Sequence, residues 1–248
     1  EKWEQEYDSP YADRAPEERF YWVIQKAFEK TGQRVVIWVD EYDKPMLQTI
    51  GNEDLQEKYR NALKPFYGVL KSLDGYIRFA LLTGVTKFGK VSVFSDLNQL
   101  NDISMKSPYA ALCGITREEL QQTFLPELER LAKRRGKSLQ EVIDLMECQY
   151  DGYHFHPEGA GMFNPFSVLN AFDAEELGYY WFQTGTPTYL VDLLKKSDYD
   201  IRLLIDGVEV LASAFSEYRA ESQNPLPMIY QSGYLTIKGY DDIYFRFS

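Results

Sequence analysis

Apolar residues recur along the first hundred positions in two alternating forms, a helical spacing and an unbroken run. Pro16-Glu17-Glu18 sets a proline and two acids where a helix begins, and Phe20, Val23, Ile24, Ala27 and Phe28 follow on one helical face up to Thr31-Gly32. Arg34 to Val39 is then a continuous β-branched, apolar stretch, the pattern of a central parallel strand buried on both faces, and it runs straight into Asp40-Glu41. Residues 53–72 return to helical spacing through Leu55, Tyr59, Leu63, Phe66 and Leu70, with Pro65 predicting a kink or a break. Tyr76 to Gly84 reads as a second buried strand that ends in Thr83. Helix, acid-tipped strand, helix, strand is half of a doubly wound α/β domain. Such sheets bind ligands at the carboxyl ends of their strands, where Asp40, Glu41 and Thr83 all stand.

Beyond about residue 108 the pattern changes. Thr116 and Glu119 form a capping-box signature ahead of a helix at about 116–134, and a second helix is expected at about 138–149. Residues 150–186 are rich in aromatics, Gly and Pro and read as irregular, packed chain. Helices are expected at about 187–196 and 207–220. Pro227 to Ile237 then passes from a short helix into a strand, and Ile243 to Phe247 alternates like its return strand. Residues 1–15 read as a loop.

Composition narrows the class. The 248 residues are 44% hydrophobic and 15% aromatic, enough to bury a core, so disorder is not expected. A net charge of −11 disfavours nucleic-acid binding, which ordinarily leaves a basic footprint. The cluster Lys133-Arg134-Arg135 with Lys137 reads as a solvated helix end. Cys113 and Cys148 lack metal-type spacing and fit a reducing cytoplasm. No apolar run is long enough to span a bilayer, and no signal peptide is visible. The chain begins at Glu1 rather than Met, which suggests a piece of a longer protein.

The chemistry concentrates at Asp40-Glu41. Phosphoryl transfer from ATP needs Mg²⁺ near the phosphates and a group that orients or deprotonates the attacking water. A carboxylate at a strand tip suits the ion, so Asp40 is the candidate metal and nucleotide-side ligand. Its neighbour Glu41 is the candidate catalytic acid-base group, and Thr83 on the next strand is the candidate sensor of the γ-phosphate. The plain alternative is that two acids end a strand and Thr83 caps another. No G-x-x-x-x-G-K-[ST] loop occurs in the chain: the letters Gly136-Lys137-Ser138 have Leu131 where the first glycine belongs, and they read as an interhelical turn. His154 and His156 near Asp151, Lys87 and Lys90 after Thr83, and Arg78 and Arg117 are weaker candidates, for a metal, for phosphate and for charge stabilisation respectively.

Several segments in order carry a resemblance to a known family. They are Val35 to Pro45, Arg78 to Phe88, Val93 to Ser104, Tyr150-Asp151-Gly152-Tyr153, Asn164 to Ser167, Tyr180 to Pro187 and Gln231 to Ile237. Together they resemble the bacterial AAA-ATPase-like proteins, P-loop ATPase-like chains commonly fused to a C-terminal PD-(D/E)XK nuclease-like domain. The resemblance implies an α/β fold: a partial AAA-like core over 1–108 with a Walker B-type strand at Val35–Glu41, a helical lid over 109–186, and a winged-helix-like module over 187–248. It implies that ATP and Mg²⁺ are used in the intact protein, where a phosphate loop lies upstream, and that hydrolysis regulates an attached nuclease-like domain. It also implies that this piece, lacking the loop, is inactive by itself. The rival expectation is a non-catalytic module that contacts a protein partner, or DNA, through the winged-helix-like end.

Overall fold

The computed structural model describes residues 1–9, 13–85, 93–94, 97–181, 190–191, 194–195, 197, 199–205, 207–215, 224–241 and 243–247. They fall into two compact units, one holding Glu1–Asn101 and the other running from Asp102 to Phe215 and resuming at Asn224.

The first unit opens with a short helix α1 (Lys2–Glu6), where a loop is expected from sequence. Its Glu4 carboxylate accepts two hydrogen bonds from Arg19, both 2.7 Å, and this fork-to-fork pairing anchors α1 to the next helix. Helix α2 (Pro16–Thr31) starts with proline in its first turn and ends on Gly32 at φ +67, the left-handed cap that glycine adopts without a Cβ penalty. Strand β1 (Val35–Val39) leads through the short helix α3 (Lys44–Leu47) to α4 (Glu53–Ser72), whose N-cap Asn52 accepts the Leu55 N–H. Helix α4 runs through Pro65 without a break. Strand β2 (Ile77–Leu82) pairs parallel with β1, Trp38 opposite Leu81 and Val39 opposite Leu82.

Ile37 faces inward with Ile24, Ala27 and Leu70, and Phe20 stacks on Phe66 at 4.6 Å between α2 and α4. The other face of the pair is open. Val36 is 58% exposed, Trp38 72% and Phe79 55%, so the expectation that β1 is buried on both faces is corrected. A parallel sheet needs cover on each face, and the described elements of this unit cover one.

The second unit is helical at first. Helices α5 (Arg117–Thr123) and α6 (Leu125–Arg135) divide the stretch expected as one helix, the break falling at Phe124 just before Leu125-Pro126. Gly136 at φ +62 ends α6, and Ser138 begins α7 (Leu139–Tyr150) with a complete capping box to Glu141. Gly136-Lys137-Ser138 is therefore an interhelical turn, as the sequence indicates. Helix α8 (Pro165–Ala174), capped by Asn164, interrupts the stretch expected to be irregular. Leu120, Leu128, Leu131, Val142, Met146, Phe163, Val168 and Ala171 are wholly buried together and form the core of this region.

The end of the chain forms a three-stranded antiparallel sheet. Strand β3 (Val208–Leu211) stands where a helix over 207–220 is expected, which corrects that reading for its described part: Val208–Leu211 pairs with residues more than thirty positions later, a contact that local spacing does not reveal. Of the helix expected at 187–196, residues 190–191 and 194–195 are described and are helical, and the rest lies outside the described residues. Helix α9 (Leu226–Gln231), strand β4 (Ile237–Tyr240) and strand β5 (Tyr244–Phe247) follow the expected helix and hairpin, in the sheet order β3-β5-β4. Residues 152–154 are stitched to this end. The Tyr153 hydroxyl donates to the Tyr230 carbonyl at 3.1 Å, the Tyr230 hydroxyl donates to the His154 carbonyl at 3.0 Å, and their rings stack at 5.4 Å. Thr236 Oγ1 accepts the His154 N–H and donates to the Gly152 carbonyl. Among the described residues no helix is long and apolar enough to cross a membrane.

Candidate functional site

Parallel pairing sets the carboxyl ends of β1 and β2 side by side. Thr83 N–H donates to the Val39 carbonyl at 2.8 Å and Tyr42 N–H donates to the Thr83 carbonyl at 2.9 Å, so the ladder extends past both strands. This places the Thr83 hydroxyl against Asp40: Oγ1 donates to Asp40 Oδ1 at 2.5 Å. The exposed Asp40, the exposed Glu41 and the half-buried Thr83, three residues singled out from sequence, thus share one strand end.

The turn after Asp40 is tight. Glu41 has φ +53, a left-handed conformation that side-chain-bearing residues seldom adopt, and strain of that kind tends to gather at functional sites. Its Oε2 pairs with Lys44 Nζ at 2.6 Å. The Glu41 carboxylate holds the Lys44 ammonium above the ordinary lysine range, with Asp40 adding to the effect. Both partners are about half exposed, so the pair adds little to stability.

Beneath the turn lies a residue that the sequence reading passed over. Asp43 is fully buried at 0% exposure, and its Oδ1 accepts the Val85 N–H at 3.3 Å. Gly84 is required here by space: a Cβ would stand 2.6 Å from Asp43 Oδ1 and 2.8 Å from Tyr42 Cε1. Aromatic rings close the floor, with Tyr42 on Phe94 at 4.9 Å and Phe94 on Tyr67 at 5.1 Å. Burial raises the Tyr67 hydroxyl above its usual pKa, and the nearby Asp43 charge adds to that. The signal in the sequence was the third acid of Asp40-Glu41-Tyr42-Asp43, but only the return of β2 beside it makes it a buried group.

The weaker candidates lie elsewhere. Arg78 is at the amino end of β2, five residues and ~16 Å of strand from Thr83, and borders a surface depression with Gln33 and Arg34. Arg117 pairs with Glu147 and Asp144 in the second unit. His154 Nδ1 sits 3.0 Å from the Gly152 carbonyl, and His156 Nδ1 accepts the Glu158 N–H at 3.1 Å, so both rings serve their own loop. Lys87 and Lys90 lie outside the described residues.

Among the described residues no three His, Cys, Asp or Glu side chains gather into a metal cage. Mg²⁺ is commonly held by one or two carboxylates, with waters and phosphates filling the other positions. The exposed Asp40 carboxylate, steadied by the Thr83 hydroxyl, fits that mode of ligation. The site supplies acids and a hydroxyl at an open strand end. The glycine-rich turn that would cradle phosphates is not among the 248 residues.

Residues 1–94 match the model of the AAA-ATPase-like family, described as a predicted AAA-ATPase. An uncharacterized protein in the vnfD 5′ region of Azotobacter chroococcum mcd 1 is 40% identical over 221 residues, 88% of this chain and 40% of that protein. The chain thus spans about 40% of the length of the curated relative it matches. No solved structure matches. The matched family stretch contains β1, β2 and every residue of the strand-end site.

Proposed function

We propose that residues 1–108 carry the acidic half of a nucleotide-hydrolysing site of AAA-like type. The observation that supports it most is the 2.5 Å contact of Thr83 Oγ1 with Asp40 Oδ1 at adjacent parallel strand ends, inside the stretch that matches a predicted AAA-ATPase. Asp40 would hold the ion through its carboxylate, and Thr83 fixes that carboxylate by donating its hydroxyl proton to it; a γ-phosphate contact by Thr83 would require that proton to turn from Asp40 to the phosphate. Glu41 stands one residue further, where it orients the attacking water and takes its proton on Oε1 while Lys44 engages Oε2. Mg²⁺ arriving with ATP supplies the neutralisation of phosphate charge that the acids cannot.

In this reading the phosphate cradle comes from a glycine-rich loop on another segment of the longer protein. Residues 109–186 act as a helical lid that ATP draws shut. Residues 187–248 act as a winged-helix-like module, a reading supported by the order β3, α9, β4, β5. The cycle regulates an attached nuclease-like domain.

The test is calorimetry with ATP and Mg²⁺ on this chain and on a longer polypeptide that includes a glycine-rich loop. Binding by the longer form alone is the expected result, and no binding by either overturns the reading. In the longer form, Glu41→Gln should leave binding within about twofold and slow turnover by about 10²–10⁴, the usual contribution of a positioned base. Unchanged turnover would remove Glu41 from the mechanism.

A further inference from the structure

We propose that Asp43 is a positioning residue of the strand-end site: its buried carboxylate clamps the segment after β2 to the turn after β1, and so holds the Thr83 hydroxyl on Asp40. The proposal rests on the reading of Asp40 as the ion-side acid, and it adds a residue that does not itself touch the ion.

A carboxylate at 0% exposure is costly to hide, and it persists where its oxygens replace the hydrogen bonds of water. Asp43 Oδ1 does so with the Val85 N–H at 3.3 Å. On its other side Asp43 belongs to the turn, because its backbone carbonyl accepts the N–H groups of Met46 and Leu47 and opens α3. One residue therefore joins the two chain segments that leave the sheet. Thr83 and Asp40 lie two and three residues away along the two segments, so separation of the segments would pull the 2.5 Å contact apart. Gly84 makes the clamp possible. Without a Cβ it lets the chain come close to Oδ1, and the 2.6 Å clearance leaves no room for even a methyl group. Tyr42, Tyr67 and Phe94 pack around the clamp and keep it dry. Orientation of a metal-side carboxylate by groups behind it is the usual way a protein tunes such a ligand.

The test uses the full 248-residue chain and two readouts by NMR: the exchange rate of the Val85 amide, and paramagnetic broadening at Asp40 by Mn²⁺ alone. Asp43→Ala should speed exchange at Val85 about tenfold through loss of the acceptor, and should weaken Mn²⁺ broadening at Asp40 about tenfold. Gly84→Ala, at an exposed position, leaves the carboxylate in place but forces the segments apart, and should move both readouts in the same direction if Asp43→Ala fails to fold. Asp43→Asn keeps an oxygen acceptor of the same shape and should restore Val85 protection and Mn²⁺ broadening to within about twofold of the parent chain. Three results would overturn the clamp: Val85 exchange unmoved by Asp43→Ala and Gly84→Ala, Mn²⁺ broadening unmoved while stability alone falls, or no rescue by Asn. Absence of Mn²⁺ broadening in the parent chain is a different failure. It removes Asp40 as the ion-side acid, whereas the Val85 exchange rates still judge the clamp.

Discussion

The two units solve the burial problem differently. In the second, Leu120, Leu131, Met146, Phe163 and Val168 lose all contact with solvent against one another, and residues from helices and loops alike pack around that cluster. In the first, two parallel strands present one face to α2 and α4 and leave Val36, Trp38 and Phe79 open. The candidate chemistry stands on the open unit, at strand ends that remain accessible. A closed core serves stability, while the open sheet leaves its strand tips and one face of its described residues accessible.

The contrast can be broken with matched truncations. Phe163→Ala should destabilise by ~3–5 kcal/mol in urea denaturation because it empties a closed core. Trp38→Ser, an equally drastic change on the open face, should stay within ~0.5 kcal/mol. A large cost for Trp38→Ser would mean that the face is covered in solution.

The units should also fail at opposite ends of the pH range. Burial pushes the Tyr230 hydroxyl up to about 12 and raises Tyr153 as well. A raised pKa in the folded state favours the protonated form, so this contribution is intact below the ordinary tyrosine value of 10.0 and is lost as pH rises through about 12. In the first unit the Arg19 guanidinium, helped by the chain's amino terminus, holds Glu4 down at about 2 against an ordinary 4.5. A lowered pKa favours the charged form, so that contribution is intact above 4.5 and lost as pH falls through about 2. Amide exchange followed across pH should show loosening near Tyr153 at the alkaline end and near α1 at the acid end. Uniform loosening would mean that the two units melt as one.

The smallest expected effect is at a cap. Ser138→Ala removes the acceptor for the Glu141 N–H and should cost ~1 kcal/mol in the second unit, again read by urea denaturation.

Much of this architecture was legible where local spacing and caps carry the information. Pro16 and Gly32 bracket α2, Thr116 and Ser138 open their helices with complete boxes, and Ile243 to Phe247 contains the return strand. Helix α8 was legible in principle, since Asn164-Pro165 is a cap followed by an N1 proline, but its surroundings of aromatics and glycines obscured it. Strand β3 and the burial of Asp43 were not legible. Each depends on a partner distant in sequence, β5 for the strand and Val85 for the acid. Likewise, the run Val35–Val39 reads as doubly buried because its residues are apolar throughout, yet side-chain character records what a face tolerates rather than what covers it. Asp40, Glu41 and Thr83 were singled out because acids at a strand tip carry a local signature, and the strand pairing sets Thr83 against Asp40.

The reciprocal tyrosine bonds have a consequence for synthesis on the ribosome. Tyr153 and its acceptor at Tyr230 are 77 residues apart, and Thr236 reaches back 84 residues to Gly152. At common elongation rates the first partner waits about 4–15 s for the second. Helices α5 to α8 are built on nearby contacts and have time to collapse in that interval, whereas the aromatic loop that follows α7 stays unsatisfied until Tyr230 and Thr236 have emerged. The nascent chain therefore passes through a stage in which these helices are formed and the Tyr153 hydroxyl still lacks its carbonyl partner.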